Sequence, residues 1–446
     1  MKRFIYIISM LVCSASVNAQ TAMTLQQCLD SALLHNRTLR NAELDVKLST
    51  EQRKETFTNF FPEVSGSVMA FHTFDKLVKG DGTYPQELAM FGSQFASMVG
   101  QPYSFKEMNR GYSATITAIQ PIYAGGQITT GHRLTKVQEE VMTLRQRLTE
   151  KEVMQKVTEC YWQLANVMYN LRTIDAAEKQ IDAVHTQVEN YVKAGVTTQN
   201  DLLKVSIRKQ ELASTRVKLE NARHVLSMLL AQQIGLADRD ISIDIDADIP
   251  VSVPQYVDSN TAAANREELL MSSKNVEAHK LQVKMERGKC LPTFAIGVMG
   301  FTSNVGGLSD NIKNTIDTKM TNGMVFGTLS IPITEWWGGS HAIRRQKMKL
   351  QQAENDYLDA HEQLRIDTEA AWSGVVEAYK QIGIAETTVK QTEENLRMVS
   401  GQYKVGSTPI TELLDAETLN RQAHDSYSQA KATYQIKLCD YQRKVK

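Results

Sequence analysis

The sequence predicts a mainly α-helical, internally duplicated fold that also carries four β-strands of membrane-spanning length. Residues 132–194 contain neither glycine nor proline, which favours one long helix. Pro121 and Gly195 are 74 residues apart, and so are Pro332 and Gly406, which indicates two copies of one plan. Each copy also has two segments of roughly ten residues, the length of a tilted membrane strand.

The N-terminus has the features of a secretory signal peptide over residues 1–19. Lys2 and Arg3 precede an apolar run, and Ala19 ends the segment with a small residue. The run is far shorter than the roughly 20 residues that a membrane-spanning helix needs. We therefore expect the mature chain to begin near Gln20, with lipidation of Cys13 as the alternative.

The composition argues against several classes of function. The chain has 50 basic and 50 acidic residues, so it lacks the positive charge of a nucleic-acid-binding protein. The four cysteines after the signal peptide show no CxxC spacing, which argues against zinc; disulfides are permitted but not indicated. No metal-binding histidine pair, phosphate loop or nucleophile motif occurs. The sequence thus predicts no enzyme, no cofactor and no metal site.

The first copy begins with a helix from Thr24 to about Asn59. Thr24 and Gln27 have the spacing of a capping box, and Pro62 ends the segment. Residues 64–74 then predict a strand.

A loop over residues 75–110 leads to a second strand over 111–123, in which small and apolar residues alternate with Ser and Thr. Pro121, Gly125 and Gly126 mark the turn into the long helix.

The long helix carries apolar residues at alternating steps of three and four, as in a coiled coil. At about 1.5 Å per residue it would be on the order of 90 Å long, more than a compact domain encloses, so it must project. Gly195 ends it at a tip turn. Thr197 or Thr198 is placed to cap the returning helix, with Asp201 in its first turn.

The second copy repeats this order. A helix follows Asn265-Arg266 and ends at Pro292. A strand, a loop and a second strand are expected over 293–302, 303–322 and 323–333. A turn into the second long helix is predicted at three residues: Pro332, Gly338 and Gly339. Gly406 marks the second tip turn, again six residues before an acidic residue.

These elements predict a first repeat over 20–240, a connector over 241–258 and a second repeat over 259–446. The connector alternates isoleucine with polar residues, as an extended segment does. Asp244, Asp246 and Asp248 resemble the start of a calcium loop, but Ile249 replaces the required glycine.

Four strands per chain are too few to close a barrel of useful bore, and an open sheet edge is unfavourable in lipid. After the signal peptide no run reaches 18 apolar residues, so membrane insertion would have to use these strands. The chain is therefore expected to share a barrel with other copies, which the projecting helices continue as a helical tube.

The duplicated order of helix, strand pair, long helix, tip turn and return helix resembles the TolC-like outer membrane efflux proteins. Matching motifs are the Asn-Arg pairs at Asn36-Arg37 and Asn265-Arg266, QPIYAGG from Gln120 to Gly126, and YKVGSTPITELLDAE from Tyr403 to Glu417. The resemblance covers nearly the whole mature chain.

The resemblance implies a homotrimer in the outer membrane of a diderm bacterium, with a twelve-stranded barrel and a large periplasmic α-barrel. It also implies a periplasmic adaptor and an inner-membrane pump of the RND or ABC type as partners. The expected function is passive export of small molecules or proteins, with neither the cargo nor the energy source of the pump identified.

The resemblance further implies a gate at the periplasmic tip. Glu412 and Asp415 match positions where the family places acidic rings around the tunnel entrance. The alternative is that both carboxylates only complement the dipole of a helix beginning at Pro409. Tyr403 and Asp201 match positions that help to hold the family's closed tip together.

Thr408 departs from this pattern, because the family often has a basic residue there, and the closing contacts at the tip therefore stay open. Trp336 and Trp337 adjoin the second strand-to-helix turn, where they suit either a membrane-interface belt or packing at the junction.

Two other functions compete with the export channel. A periplasmic coiled-coil adaptor would also be secreted and rich in heptads, but it is expected to carry one helical hairpin. A secreted structural coiled coil without a pore is the second alternative, and it would lack alternating strands with small outward residues.

Overall fold

The computed structural model describes residues 22–72, 74, 110–236, 241–245, 251–309 and 312–445. The predicted signal peptide with Cys13, most of the first loop, and Asp246 and Asp248 lie outside the described residues. The eight described helices are α1 Leu25–His35, α2 Arg37–Thr58, α3 Gln127–Lys193, α4 Gln199–Gln233, α5 Ser259–Asn265, α6 Glu267–Lys289, α7 Glu335–Lys404 and α8 Ile410–Val445. The four described strands are β1 Glu63–His72, β2 Arg110–Ala124, β3 Thr293–Ser309 and β4 Ile312–Ser330. The predicted fold class, mainly α with four strands per chain, is confirmed.

The first helix of the prediction is divided in two at Asn36. The backbone of Asn36 is extended, with φ −65° and ψ 126°. Its side-chain oxygen accepts hydrogen bonds from the amides of Thr38 (2.8 Å) and Leu39 (3.3 Å). Because these amides have no partner inside their own helix, Asn36 caps the start of α2.

Arg266 occupies the same break between α5 and α6 in the second copy. Its side chain is 7% exposed and forms ion pairs of 2.8 Å with Glu268 and with Asp367. Asn36 therefore corresponds to Arg266, and matching the two Asn-Arg pairs placed the second copy one residue out of register.

The strands form one antiparallel sheet in the order β1-β2-β3-β4. The pair β2 and β3 joins the two copies, with Thr115 opposite Phe301. The loop predicted over 303–322 is wrong for most of its length, because β3 continues to Ser309 and β4 already begins at Ile312. Each of these extended strands supplies the hydrogen bonds that the other needs, whatever its composition.

One face of this sheet is apolar and open. Along it lie the exposed side chains of Val64, Val68, Ile116, Val298 and Val325, with exposed fractions between 52% and 79%. On the opposite face, β1 and β2 carry Ser65, Ser67, Ser113, Thr115 and Thr117, whereas β3 and β4 carry Met299, Phe301, Met324 and Phe326. The apolar face is thus the one that needs a non-aqueous partner.

The strand-to-helix turns of the two copies differ. Gly125 and Gly126 have φ of +61° and +75°, and a Cβ on Gly125 would overlap the carbonyl of Gly288. Pro121 lies inside β2, next to a shift in register.

Gly338 and Gly339 instead lie in the first turns of α7, so the turn predicted there is wrong. The chain turns after β4, at Pro332 and the two residues that follow. Gly339 faces the sulfur of Cys290, and close helix packing rather than a turn accounts for it.

The chain divides into two compact units. One consists of the described residues of Met1–Leu48, Glu140–Asn275 and Glu354–Lys446. Its core includes the connector, where Ile241, Ile243 and Ile245 are buried as their alternation predicts. The hydroxyl of Tyr161 donates to the carbonyl of Asp244 (2.7 Å), and that of Tyr434 to the carbonyl of Ser252 (2.5 Å). The other unit, Ser49–Glu139 and Val276–Ala353, contains the sheet and the helix ends next to it.

Candidate gate at the hairpin turns

Both long helices end in the same type of turn. In the first hairpin, the amide of Gly195 donates to the carbonyl of Val192 (3.0 Å) and that of Val196 to Tyr191 (2.8 Å). In the second, the amide of Gly406 donates to Tyr403 and that of Ser407 to Gln402, both at 3.0 Å. These pairs form the Schellman motif, which needs a left-handed residue; the two glycines have φ of +73° and +76°.

Asp201 is bound within its own turn. Its carboxylate accepts hydrogen bonds from the hydroxyls of Thr197 (2.9 Å) and Thr198 (2.8 Å) and from the ammonium of Lys204 (3.2 Å). These donors, Thr198 first, lower the pKa of Asp201 to about 2. Thr198 also accepts from the amide of Asp201 and is the N-cap of α4, as one of the two predicted alternatives had it.

Glu412 has the position of Asp201 in the second hairpin but none of these contacts. Pro409 replaces Thr198, and the hydroxyls of Ser407 and Thr408 donate to Gln402 instead. Glu412 and Asp415 are both exposed. Within the described part of the chain neither carboxylate forms an ion pair, so both stay available to solvent cations.

Tyr403 is half-buried beside the first hairpin. Burial raises the pKa of its hydroxyl, and the neighbouring Tyr191 and Asp201 raise it further. Between Tyr403 and Asp201, both of which the structure describes, there is no hydrogen bond. The two predicted tip residues are therefore neighbours without a direct link.

A shared apolar cluster packs the two hairpins together. Nine buried residues form it: Ile174, Ile181, Val184, Val188, Val205, Leu212, Ile410, Leu413 and Leu414. Tyr403 packs against its rim. Leu413 and Leu414 of the second hairpin thus lie in the cluster and Leu202 of the first packs against it, whereas Leu203 is exposed.

A cavity of about 280 Å³ with a mixed polar and apolar lining lies beside this cluster, and the sequence did not indicate it. Its lining comes from all four hairpin helices and includes Arg172, Gln180, Arg208, Glu417, Arg421 and His424. Gln180 donates to Glu417 (2.9 Å) and Arg208 to the hydroxyl of Thr418 (2.5 Å), so both bonds join the first hairpin to the second. Burial raises the pKa of Glu417 to about 7, against the opposing effects of Gln180 and Arg208.

The remaining chemistry is sparse. Among the described residues, no group of three His, Cys, Asp or Glu side chains could hold a metal ion. Cys28, Cys160, Cys290 and Cys439 are free thiols. None of the helices in the described ranges is both long and apolar enough to cross a bilayer.

The structure is similar to solved outer-membrane channels. The Campylobacter jejuni CmeC channel matches with a TM-score of 0.78 and 14% identity, over 94% of this chain and 85% of that one. The open state of Neisseria gonorrhoeae MtrE gives 0.73 and 16%, over 94% and 88%. The Vibrio cholerae outer membrane protein VceC gives 0.74 and 12%, over 94% and 95%. At these identities the likeness shows the fold alone.

The family comparison is more direct. No curated protein matches the sequence. The sequence pattern of the outer membrane efflux proteins matches residues 28–233 and 259–439, which together make up most of the chain. The chain therefore belongs to the outer membrane efflux protein family.

Proposed function

We propose that three copies of this outer membrane efflux protein form a passive export duct, gated at its periplasmic end by the second hairpin turn. The observation that carries the proposal is the four-stranded sheet, in which β1 and β4 each have one open edge among the described residues and one face is apolar and exposed. Pooling strands between copies removes the edges, and lipid covers the apolar face.

Exposed apolar side chains on the hairpins support a homotrimer. Leu203 and Ile207 on α4 are 53% and 60% exposed, and Ile384 on α7 is 60% exposed. Exposed apolar surface on long helices is unfavourable in water, and neighbouring copies would cover it.

The proposal includes the finer features that family membership implies. The chain enters the periplasm through the signal peptide of residues 1–19, and its tip meets an adaptor and an inner-membrane pump. The two hairpins favour a duct over an adaptor with a single hairpin. No residue is proposed to be catalytic.

In the closed duct, three copies of Glu412 and Asp415 form the cation-attracting entrance. Support comes from the exposure of both carboxylates, in contrast with Asp201, whose charge is bound by its own turn. Opening would move the hairpins apart, driven by an adaptor that binds the open state more tightly.

Single-channel conductance in planar bilayers, beside the oligomer mass in detergent, tests the duct and its gate together. We expect a trimer with small cation-selective currents that multivalent cations block. In the Glu412→Gln, Asp415→Asn double variant the block should weaken at least tenfold, since up to six negative charges per trimer are removed.

Glu394→Gln is the matched control, because Glu394 lies on the same hairpin but pairs with Arg397 at 2.6 Å. This variant should keep the block. Unchanged block in the double variant would rule out the acidic entrance, and a soluble monomer without pores would rule out the duct.

A further inference from the structure

The helix ends beside the sheet lie next to one another in the same order as the strands. The ring of Phe57 in α2 is 5.5 Å from that of His132 in α3. Gly125, just before α3, touches Gly288 in α6, and Cys290, just after α6, touches Gly339 in α7. The helix order α2, α3, α6, α7 follows the strand order β1, β2, β3, β4. Charged side chains on these helix ends therefore lie at similar distances from the ends of the strands.

The two copies differ in charge at this level. In the first copy, residues 51–63 and 127–139 contain four basic and four acidic residues. In the second copy, the equivalent residues 281–293 and 338–350 contain seven basic residues and one acidic residue, Glu286, with Glu335 just before the second stretch.

The pairing of these charges differs as well. In the first copy, Arg53 binds Glu139 (2.6 Å) and Lys54 binds Glu51 (2.8 Å). In the second copy, Lys289 binds Glu286 (2.8 Å). Within the described part of the chain, six exposed cations of the second copy form no ion pair, against two in the first copy: Lys284, Arg287, Arg344, Arg345, Lys347 and Lys349, against Arg133 and Lys136.

One exposed face of α7 combines cations with apolar side chains. Trp337, His341, Arg344 and Met348 follow the spacing of a single helix face and are all exposed, Trp337 to 81%. Side chains on a helix lean toward its N-terminus. Because α7 starts at the strand end, this rule directs the Cα–Cβ bond of Arg344 toward the sheet, whereas α6 ends at the sheet and the Cα–Cβ bond of Arg287 tilts away from it.

We propose that Lys284, Arg287, Arg344, Arg345 and Trp337, the second-copy basic surface, bind the phosphate headgroups of anionic phospholipids in the inner leaflet of the outer membrane. This inference rests on the proposed function, because it places the apolar sheet face in the bilayer. A tryptophan at the interface positions its ring among headgroups, and unpaired cations attract anionic lipid.

The depth fits this role. The headgroup layer on each side of a bilayer is roughly 5 to 8 Å thick. Arg287 lies two residues before the end of α6, about 3 Å along the helix, and Arg344 about 14 Å into α7 with its side chain directed back. The neutral first copy has no comparable surface, so lipid binding should be confined to one side of each protomer.

Native mass spectrometry of the full-length trimer in mild detergent tests the proposal. The protein is titrated with phosphatidylglycerol or with phosphatidylcholine of the same acyl chains. Each cation near an anionic lipid contributes roughly fivefold in affinity. The Arg344→Gln, Arg345→Gln variant should therefore lose phosphatidylglycerol affinity by about 25-fold, with phosphatidylcholine affinity unchanged.

Arg133→Gln, Lys136→Gln in the first copy is the matched control and should keep the preference for phosphatidylglycerol. Equal losses in both double variants, or no preference in the native protein, would overturn the proposal. Competition by millimolar inorganic phosphate against phosphatidylglycerol would also overturn it, because it would indicate a site for free anions. The proposal would likewise fail if the Arg344→Gln, Arg345→Gln variant lost binding to peptidoglycan sacculi while neither protein preferred anionic lipid. A trimer that conducts normally but shows no preference refutes this inference alone; a soluble monomer refutes the proposed function too.

Discussion

The two hairpin turns have the same backbone and use their side chains differently. Each ends its long helix with a left-handed glycine and the same two amide hydrogen bonds. The first turn then binds its own carboxylate, Asp201, through two threonines and a lysine. The second leaves Glu412 and Asp415 exposed. Backbone hydrogen bonds are therefore common to both copies, while charge is free to diverge where it faces solvent.

The two strand-to-helix junctions also differ, here in how their glycines pack. Gly125 adopts a left-handed turn against Gly288, whereas Gly338, the first residue of the second Gly-Gly pair, lies in a helix with open space beside it. Two Gly-Gly pairs that look alike in sequence thus perform different structural tasks. Substitution can separate the two tasks.

The largest effect is expected at Gly125. Gly125→Ala forces a side chain into a left-handed conformation and against the carbonyl of Gly288, which should lower the free energy of unfolding by about 3 kcal/mol. Gly338→Ala is the matched control and should be neutral or stabilising by up to about 1 kcal/mol, because alanine favours a helix. Thermal unfolding of the purified protein measures both. Equal losses would show that the second pair is also a turn.

A pH effect of intermediate size is expected at Glu417, whose equivalent in the first hairpin is Ser206. A carboxyl group whose pKa is raised by folding disfavours the folded state once it ionises. The contribution of Glu417 to stability is therefore greatest below about pH 4.5 and is lost as the pH rises through about 7. At about 1.4 kcal/mol per pKa unit, with partial solvent screening, the loss by pH 8 should be about 2 kcal/mol.

Arg172, Arg208, Arg421 and His424 line the same cavity, so the slope must be assigned by substitution. In Glu417→Gln the unfolding temperature should become nearly independent of pH between 5 and 8, while the bond to Gln180 can be kept. If that variant retains the native slope, another group titrates there, and Asp425, whose pKa burial also raises, is the next candidate.

Much of this architecture could be predicted because it depends on local patterns. The long helices follow from apolar steps of three and four without glycine or proline, and the tip turns follow from single glycines. The extension of β3 and β4 could not be predicted in this way, because residues 303–309 and 312–322 become strand through pairing with each other rather than through their own composition. The helical Gly338-Gly339 pair was misassigned for a similar reason, since the close packing of Gly339 against Cys290 depends on the fold, and nothing in the structure requires a glycine at Gly338.

The candidate gate also combines features that the sequence indicates with features that only the packing of the helices shows. Asp201 and Glu412 could be aligned because each lies six residues after a turn glycine, while the gate roles of Asp201, Glu412 and Asp415 were implied by the resemblance to the efflux family. The internal bonding of Asp201 depends on Thr197 and Thr198, and only the geometry shows which carboxylate is satisfied. Glu417 gave no local signal, because its burial arises only when the first hairpin packs against the second.

The smallest expected effect separates the two turns most directly. Thr198 caps α4 and binds the carboxylate of Asp201, so Thr198→Ala should cost about 1 kcal/mol of stability. Thr408 is half-buried and donates only to Gln402 (3.2 Å), without capping a helix, so Thr408→Ala should change stability by less than about 0.5 kcal/mol. Denaturant titration of both variants at pH 7 measures the difference. A similar cost at Thr408 would mean that the second turn also relies on side-chain bonds, and Glu412 would then need a partner inside the protein rather than a role at an open entrance.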